Sequence, residues 1–226
     1  MKNYETVEIL QSLIKAEWNI VRIGNSQNKN INVPVQDDVL CGILFYKKYA
    51  FAGNGHWFLR ITLDDSYAET PYFYDYNLDD VRVADNPYGE CMDELFSEVT
   101  EWKNFATKIR PQDFIDGVDS CLGVLKERRL YNIHMEYYDG YIQVTLIPKR
   151  TSEEIKYFKM PVYSSEVAFL PVTLNLTYMY KLMELFKEYY YVIELCTDDA
   201  TGVVLKGKRV QSNKPDIRVR LENFVV

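Results

Sequence analysis

The stretch that decides the fold begins with LNLTYMYKLMELF at residues 174–186, continues with YYYVIELC at 189–196 and closes with IRVRLENF at 217–224. In its first part, apolar residues recur at intervals of three and four, which places them on one face of a helix. These residues are Met179, Leu182, Met183 and Phe186. The spacing predicts an amphipathic helix that buries this face in the core, with Leu182 and Phe186 inside.

The residues after this helix alternate with the period of a β-strand. Tyr191, Ile193 and Leu195 fall on one side of the chain, and the residues between them fall on the other. A turn signal at residues 198–202 separates this strand from the apolar run VVLK, and a polar break at 212–215 precedes the closing stretch. The predicted order is therefore helix, strand, strand, strand.

A second copy of this order lies earlier in the chain. Residues 106–109 have strand character, Pro111 suits the first turn of a helix, and Tyr-Asp-Gly at 138–140 marks a hairpin. A third strand is predicted at 155–160. The apolar face of this earlier helix consists of Phe114, Val118, Cys121, Leu122 and Leu125. The two helices lie roughly 65 residues apart, so the C-terminal half is predicted to contain tandem βαβββ units.

The C-terminal half resembles a bacterial-type DNA polymerase sliding clamp. Leu-Asn-Leu-Thr-Tyr-Met at 174–179 is similar to a helix start of that family, and Thr-Gly-Val-Val-Leu-Lys at 201–206 is loosely similar to a strand motif. The family's closing Met-Pro is absent, and Val-Arg-Leu at 219–221 stands in its place. The resemblance covers residues 106–226. It implies an α+β fold with a two-domain clamp-like architecture, in which helices pack on antiparallel sheets.

The N-terminal half, residues 1–105, is predicted to form a separate α+β domain. Its pattern predicts helices at 5–18 and 90–105 and strands at 19–23, 40–46, 49–52, 56–63, 72–76 and 80–83. No second clear triplet of strands follows the first one. This half is therefore either a degenerate clamp domain or an unrelated one.

Length and composition limit the class of protein. The chain has 226 residues, of which 47% are hydrophobic, so it can bury a sizeable core in one or two domains. It contains no run of about 18 apolar residues, and its first residues lack the apolar segment of a signal peptide. The four cysteines form no C-x-x-C pair and are expected to be reduced, buried thiols. These features predict a cytoplasmic protein.

The sequence contains no recognisable catalytic motif. His56 and His134 lie in strand patterns without a Ser, Cys or carboxylate partner at a known spacing. Asp113, Asp116 and Asp119 fall on one side of a helix, where a solvated face is the ordinary role and cation binding is the alternative. We therefore predict that the protein is not an enzyme and has no cofactor and no metal site. An enzyme with an unrecognised site is the remaining alternative.

The resemblance also implies two sets of binding residues. Clamps place helices around a central hole, where Lys and Arg contact phosphates without reading the base sequence. The matching cations on the helices of this chain and their flanks are Lys15, Lys103, Lys108, Lys126, Arg128, Arg129, Lys181 and Lys187. Clamps hold client peptides in an apolar pocket near the C-terminus of a domain. The matching residues here are Val203, Leu205, Val219, Leu221 and Phe224.

Two functional hypotheses from different classes follow. The first is a non-catalytic processivity factor of a phage or mobile element that encircles double-stranded DNA and binds a DNA polymerase or other replication proteins. With two domains per chain, three chains would complete the family's ring of six domains. The second is an acidic cytoplasmic interaction module that keeps the fold without the ring, for example an inhibitor or DNA mimic. The first is the preferred hypothesis, and the charge of the helices discriminates between the two. A clamp needs net positive helices, which this sequence supplies only marginally, whereas the formal charge of −7 does not exclude a local basic surface.

Overall fold

The computed structural model describes residues 42–53, 57–62, 72–75, 80–83, 106–123, 128–150, 153–164, 169–197, 202–207 and 216–222. The chain divides into two compact units, Met1–Ser97 and Glu98–Val226. The helices predicted at 5–18 and 90–105 and the strand predicted at 19–23 lie outside the described residues. None of the described helices combines the length and the apolar character that crossing a membrane requires.

The described part of the first unit is an antiparallel sheet. Its strands are β1 (Gly42–Tyr46), β2 (Tyr49–Gly53), β3 (Trp57–Thr62), β4 (Tyr72–Asp75) and β5 (Asp80–Val83). They lie in the order β5-β4-β1-β2-β3. The β1–β2 hairpin turns at Lys47, whose φ of 52° is the left-handed conformation that tight hairpin turns use. Leu44, Phe51 and Ile61 are buried in this sheet.

The second unit contains eight described strands, two α-helices and a 3-10 turn. Its first half consists of β6 (Ala106–Ile109), α1 (Pro111–Leu122), the 3-10 turn Arg128–Leu130, β7 (Tyr131–Tyr138), β8 (Tyr141–Pro148) and β9 (Lys156–Pro161). Its second half consists of β10 (Val172–Asn175), α2 (Leu176–Tyr189), β11 (Ile193–Thr197), β12 (Gly202–Gly207) and β13 (Asp216–Glu222).

The two halves of the second unit exchange their first strands. One sheet has the order β10-β7-β8-β9, and within this unit the other sheet runs β13-β12-β11-β6. All of these pairings are antiparallel. Because β10 pairs with β7 and β6 pairs with β11, neither half could complete its sheet alone. The exchange therefore ties the two halves into a single folded unit.

The ends of α1 follow from its sequence. Pro111 occupies the first turn, where its missing N–H costs nothing and its fixed φ suits a helix. Gly123 follows the last residue with a φ of 69°, and its N–H donates to the Asp119 carbonyl at 2.9 Å. Gly117 faces the ring of Phe158, with which a Cβ at this position would overlap. A glycine in mid-helix thus lets α1 approach β9 closely.

Helix α2 begins at a side-chain cap and buries the predicted face. Asn175 Oδ1 accepts hydrogen bonds from the backbone N–H of Thr177 at 2.9 Å and of Tyr178 at 3.4 Å. Leu182 is 3% exposed and Phe186 is fully buried, so the predicted core positions of both are confirmed. Helix α2 contacts α1 and β7, and α1 also contacts β9. One part of the core of this unit therefore lies between the two helices and the sheet that contains β7 and β9, and the strands of the other sheet contribute further buried residues, such as Leu195 and Val204.

The strand predicted after α2 is wrong at its start. The alternating pattern places Tyr191 on the same side of a strand as Ile193 and Leu195, but β11 begins only at Ile193. Ile193 and Leu195 are buried, whereas Tyr191 is 71% exposed. The backbone N–H of Tyr190 donates to the Phe186 carbonyl at 2.8 Å, which is a helical hydrogen bond. The end of α2 therefore overlaps the start of the alternating sequence pattern.

Candidate functional site

The cations predicted to contact DNA occupy different environments. Lys15, Lys103 and Lys126 lie outside the described residues. Lys108 on β6, Arg129 in the 3-10 turn and Lys187 in the last turn of α2 are exposed, and Lys181 on α2 is half-buried.

Burial lowers the pKa of Lys181, and the neighbouring Glu184 acts in the opposite direction. The half-buried Lys181 is therefore a poorer candidate for phosphate contact than the exposed Lys187.

Arg128 is committed to the interior of the second unit. Its side chain is 8% exposed, its guanidinium pairs with Asp119 of α1, and its terminal carbon lies 3.5 Å from the ring centroid of Tyr180 of α2. The Tyr180 hydroxyl donates to the same carboxylate, at 3.1 Å from each oxygen. Burial raises the pKa of Tyr180 to about 12, with Asp119 adding to the effect and Arg128 opposing it. Because the Arg128 cation joins the two helices from inside, we remove it from the predicted DNA-contacting set.

The two described α-helices do not carry the excess positive charge that a DNA-facing surface needs. Helix α1 contains three aspartates and no Lys or Arg. Helix α2 contains two lysines and two glutamates. Around DNA, the aspartates of α1 would oppose the attraction of phosphates unless other cations offset them.

Each aspartate of α1 has a different partner. Asp113 accepts from the Tyr163 hydroxyl at 2.7 Å, Asp116 accepts from Gln112 Nε2 at 2.6 Å, and Asp119 pairs with Arg128. The described residues contain no cluster of His, Cys, Asp or Glu that could hold a metal ion. The three carboxylates therefore act singly, as structural partners or as surface charge.

Four of the predicted peptide-pocket residues are buried neighbours on two adjacent strands of the second unit. Val203 pairs with Leu221 and Leu205 with Val219 across β12 and β13. All four side chains are at most 1% exposed. Phe224 lies outside the described residues. Since these four side chains are enclosed, a client peptide could contact them only through a local opening, or could bind beside them.

An arginine held between two tyrosine rings was not predicted from the sequence. The guanidinium carbon of Arg110 lies 4.0 Å from the ring centroid of Tyr163 and 4.3 Å from that of Tyr191. Tyr163 is fixed by its backbone N–H, which donates to the Lys108 carbonyl at 2.8 Å, and by its hydroxyl bond to Asp113. That hydroxyl bond raises the pKa of Tyr163. The sequence signals are the Arg-Pro pair at the start of α1 and the run of three tyrosines at the end of α2.

This arginine borders a groove at the ends of the two helices. The groove has a volume of about 320 Å³. It is lined by Arg110, Gln112, Lys187, Glu188, Tyr189, Tyr190 and Tyr191. One exposed cation of the predicted set, Lys187, therefore shares a concave surface with aromatic rings.

Solved bacterial sliding clamps have this fold. The chain matches the DNA polymerase sliding clamp from Caulobacter crescentus with a TM-score of 0.61 and 12% identity, over 87% of this chain and 60% of that one. For the beta subunit from DNA polymerase of Streptococcus pyogenes, the TM-score is 0.62 and the identity 12%, over 86% and 60%. For the sliding clamp from Pseudomonas aeruginosa, the TM-score is 0.60 and the identity 11%, over 84% and 61%. No family model and no curated protein matches the sequence.

These similarities establish the fold. The chain has the α+β sliding-clamp fold, with helices packed on antiparallel sheets, which confirms the predicted fold class and the resemblance at that level. The chain spans about 60% of the length of the clamps that it matches. At identities of 11–12%, the likeness does not carry over individual binding residues.

Proposed function

We propose that this chain is a subunit of a DNA sliding clamp. It would be a non-catalytic processivity factor that encircles double-stranded DNA without sequence specificity and tethers a DNA polymerase or other replication proteins. The observation that carries this proposal is the clamp fold, which extends over more than four-fifths of the chain. Its setting would be the cytoplasm of a cell that hosts the phage or mobile element encoding it.

The number of chains per ring follows from the number of units. The chain divides into two compact units and spans about 60% of the matched clamps. If the ring keeps the six domains implied by the resemblance, three copies of this chain would close it. Head-to-tail contacts give closed rings whenever the rotation between neighbours closes.

The proposed DNA contacts are the exposed cations of the helical layer and its flanks. Among the described residues these are Lys108, Arg129 and Lys187, with the half-buried Lys181 beside them. Lys15, Lys103 and Lys126 complete the proposed set. The proposed client-peptide site stays at β12 and β13 and the C-terminal residues, including Phe224.

The acidic interaction module remains the second candidate because a specific observation favours it. Helix α1 has no cation, and the whole chain has a formal charge of −7. In this alternative the clamp fold would present carboxylates to a basic partner and would form no ring around DNA.

Two measurements on the intact chain separate these candidates. Light scattering during size-exclusion chromatography should give three times the 26.6 kDa of one chain if the ring forms. The protein should also be retained on nicked circular DNA better than on the same DNA after linearisation, because a ring slides off free ends. A monomer without retention at low salt would remove the clamp proposal and leave the fold.

A matched pair of charge reversals tests the proposed DNA-facing side. Lys187→Glu should weaken retention on circular DNA, because it replaces a phosphate-attracting charge near the helices with a repelling one. Lys159→Glu changes the net charge equally but lies exposed on β9, and should have little effect. Equal effects of the two variants would show that overall charge, rather than this surface, governs DNA binding.

A further inference from the structure

The groove beside α1 and α2 offers an open aromatic ring. Tyr191 is 71% exposed, and its ring lies against Arg110 on one side. Within the described part of the chain, Arg110 is the one residue recorded against the ring of Tyr191. Since a guanidinium covers only one face, the high exposure leaves the opposite face of the Tyr191 ring accessible for stacking.

The same groove carries two cations that form no ion pair within the described part of the chain. Neither Arg110 nor Lys187 forms an ion pair with any residue that the structure describes. Arg110 Nε is buried and has no hydrogen-bond partner among the described residues, while the guanidinium is held between two rings. Glu188 is the single carboxylate among the groove-lining residues. The groove therefore has two cations against one anion and attracts a negatively charged group.

We propose that this groove binds one nucleotide of a single-stranded nucleic acid, with the base stacked on Tyr191 and a phosphate near Lys187 and Arg110. Aromatic rings beside cations are the usual means by which proteins hold unpaired strands without reading sequence. The volume of about 320 Å³ lies at the lower end of small-molecule sites, which hold roughly 300–1,000 Å³, and so suits a single nucleotide. An acidic peptide would use the two cations but would leave the exposed ring unused.

This binding does not depend on ring closure around duplex DNA. All of the groove residues belong to the second unit. A short linear oligonucleotide cannot be retained by encirclement, because its ends are free. Binding of such a probe therefore reports on the groove alone, and its failure is distinguishable from failure of the clamp proposal.

The test measures binding of a short fluorescein-labelled oligothymidylate to the full chain by fluorescence anisotropy at low salt. Tyr191→Ala should weaken binding by about 5- to 150-fold, the range that corresponds to the stacking of one base. Tyr191→Phe keeps the ring and should restore the affinity. Tyr157→Ala is the matched control, because Tyr157 is 63% exposed in the same unit but does not line the groove.

A second readout tests the phosphate contact. Lys187→Gln should make the slope of log affinity against log salt shallower by about 0.7, the value for one phosphate contact on a single strand. An abasic oligonucleotide of the same length keeps the phosphates and should bind to the unmodified chain as weakly as the oligothymidylate binds to Tyr191→Ala.

Several results would overturn the proposal. The first is an absence of oligothymidylate binding at low salt. The second is an abasic strand that binds to the unmodified chain as tightly as the oligothymidylate does. The third is an equal loss of affinity in Tyr191→Ala and Tyr157→Ala. Tighter binding of an acidic oligopeptide of matched charge would instead assign the groove to a protein partner and would also reject the nucleotide site.

Discussion

The ion pair between Asp119 and Arg128 predicts an asymmetric response to mutation. The Arg128 side chain is 8% exposed, whereas that of Asp119 is 42% exposed. Removal of the carboxylate therefore leaves a buried cation without its partner. Removal of the cation leaves a carboxylate that water can reach, so we expect Asp119→Ala to be the more destabilising change.

The magnitude follows from these exposures. Breaking a buried ion pair by removing one partner typically costs about 3–5 kcal/mol. Water reaches the carboxylate here and weakens the pair, while the lost hydrogen bond from Tyr180 adds to the cost, so we expect about 2–3 kcal/mol for Asp119→Ala. Arg128→Met keeps an aliphatic chain beside Tyr180 and should cost about 1 kcal/mol.

A double-mutant cycle measured by urea denaturation tests this reasoning. Circular dichroism gives the midpoint and slope for the wild type, both single variants and the double variant. The double variant should be more stable than Asp119→Ala alone, because the unpaired cation is gone. If Arg128→Met lowers the free energy of unfolding as much as Asp119→Ala does, and the double variant is the least stable, then an unpaired buried cation does not explain the effect.

Three further predictions concern the second unit. Leu182→Ala and Phe186→Ala should each cost about 2–5 kcal/mol, since both side chains are buried; losses below about 1 kcal/mol for both in urea melts would contradict the core assignment. Gly117→Ala should destabilise the protein because its Cβ would overlap the Phe158 ring, and Phe158→Leu should recover part of the loss; a lack of recovery would exclude the steric cause. Stability should fall as pH rises from 10 toward 12, because the Tyr180 pKa of about 12 exceeds the ordinary tyrosine value of 10.0 and the folded state keeps a proton that the unfolded state loses. Tyr180→Phe should reduce this decline, and an unchanged pH profile would count against a buried, protonated Tyr180.

Local sequence patterns predicted the parts of the fold that depend on near neighbours. The spacing of Leu182 and Phe186 identified the buried face of α2, and Pro111 identified the start of α1. These signals arise within one or two turns of helix, where side-chain direction follows directly from backbone geometry. The strand prediction from alternating residues was wrong at Tyr191, because the end of α2 overlaps the start of the alternating pattern there.

The candidate sites depend on residues that only the tertiary structure brings together. Arg128 is followed by another arginine and resembles a surface cation in sequence. Its burial results from Asp119, nine residues earlier, and from Tyr180, which lies 61 residues from Asp119. Arg110 likewise acquires its two ring partners from separate segments, at Tyr163 and Tyr191. The exchange of β6 and β10 between the sheets is also non-local, because each helix lies between the exchanged strand and the rest of its own half.

The release of bound protein when circular DNA is cut tests the central claim most directly. The protein is first bound to a nicked plasmid that has a single restriction site, and free protein is removed by washing. A restriction enzyme is then added, and the protein that stays with the DNA is followed over time. Encirclement predicts rapid release after cutting and slow release from an uncut plasmid that lacks the site. Equal release from the cut and uncut plasmids would contradict the account.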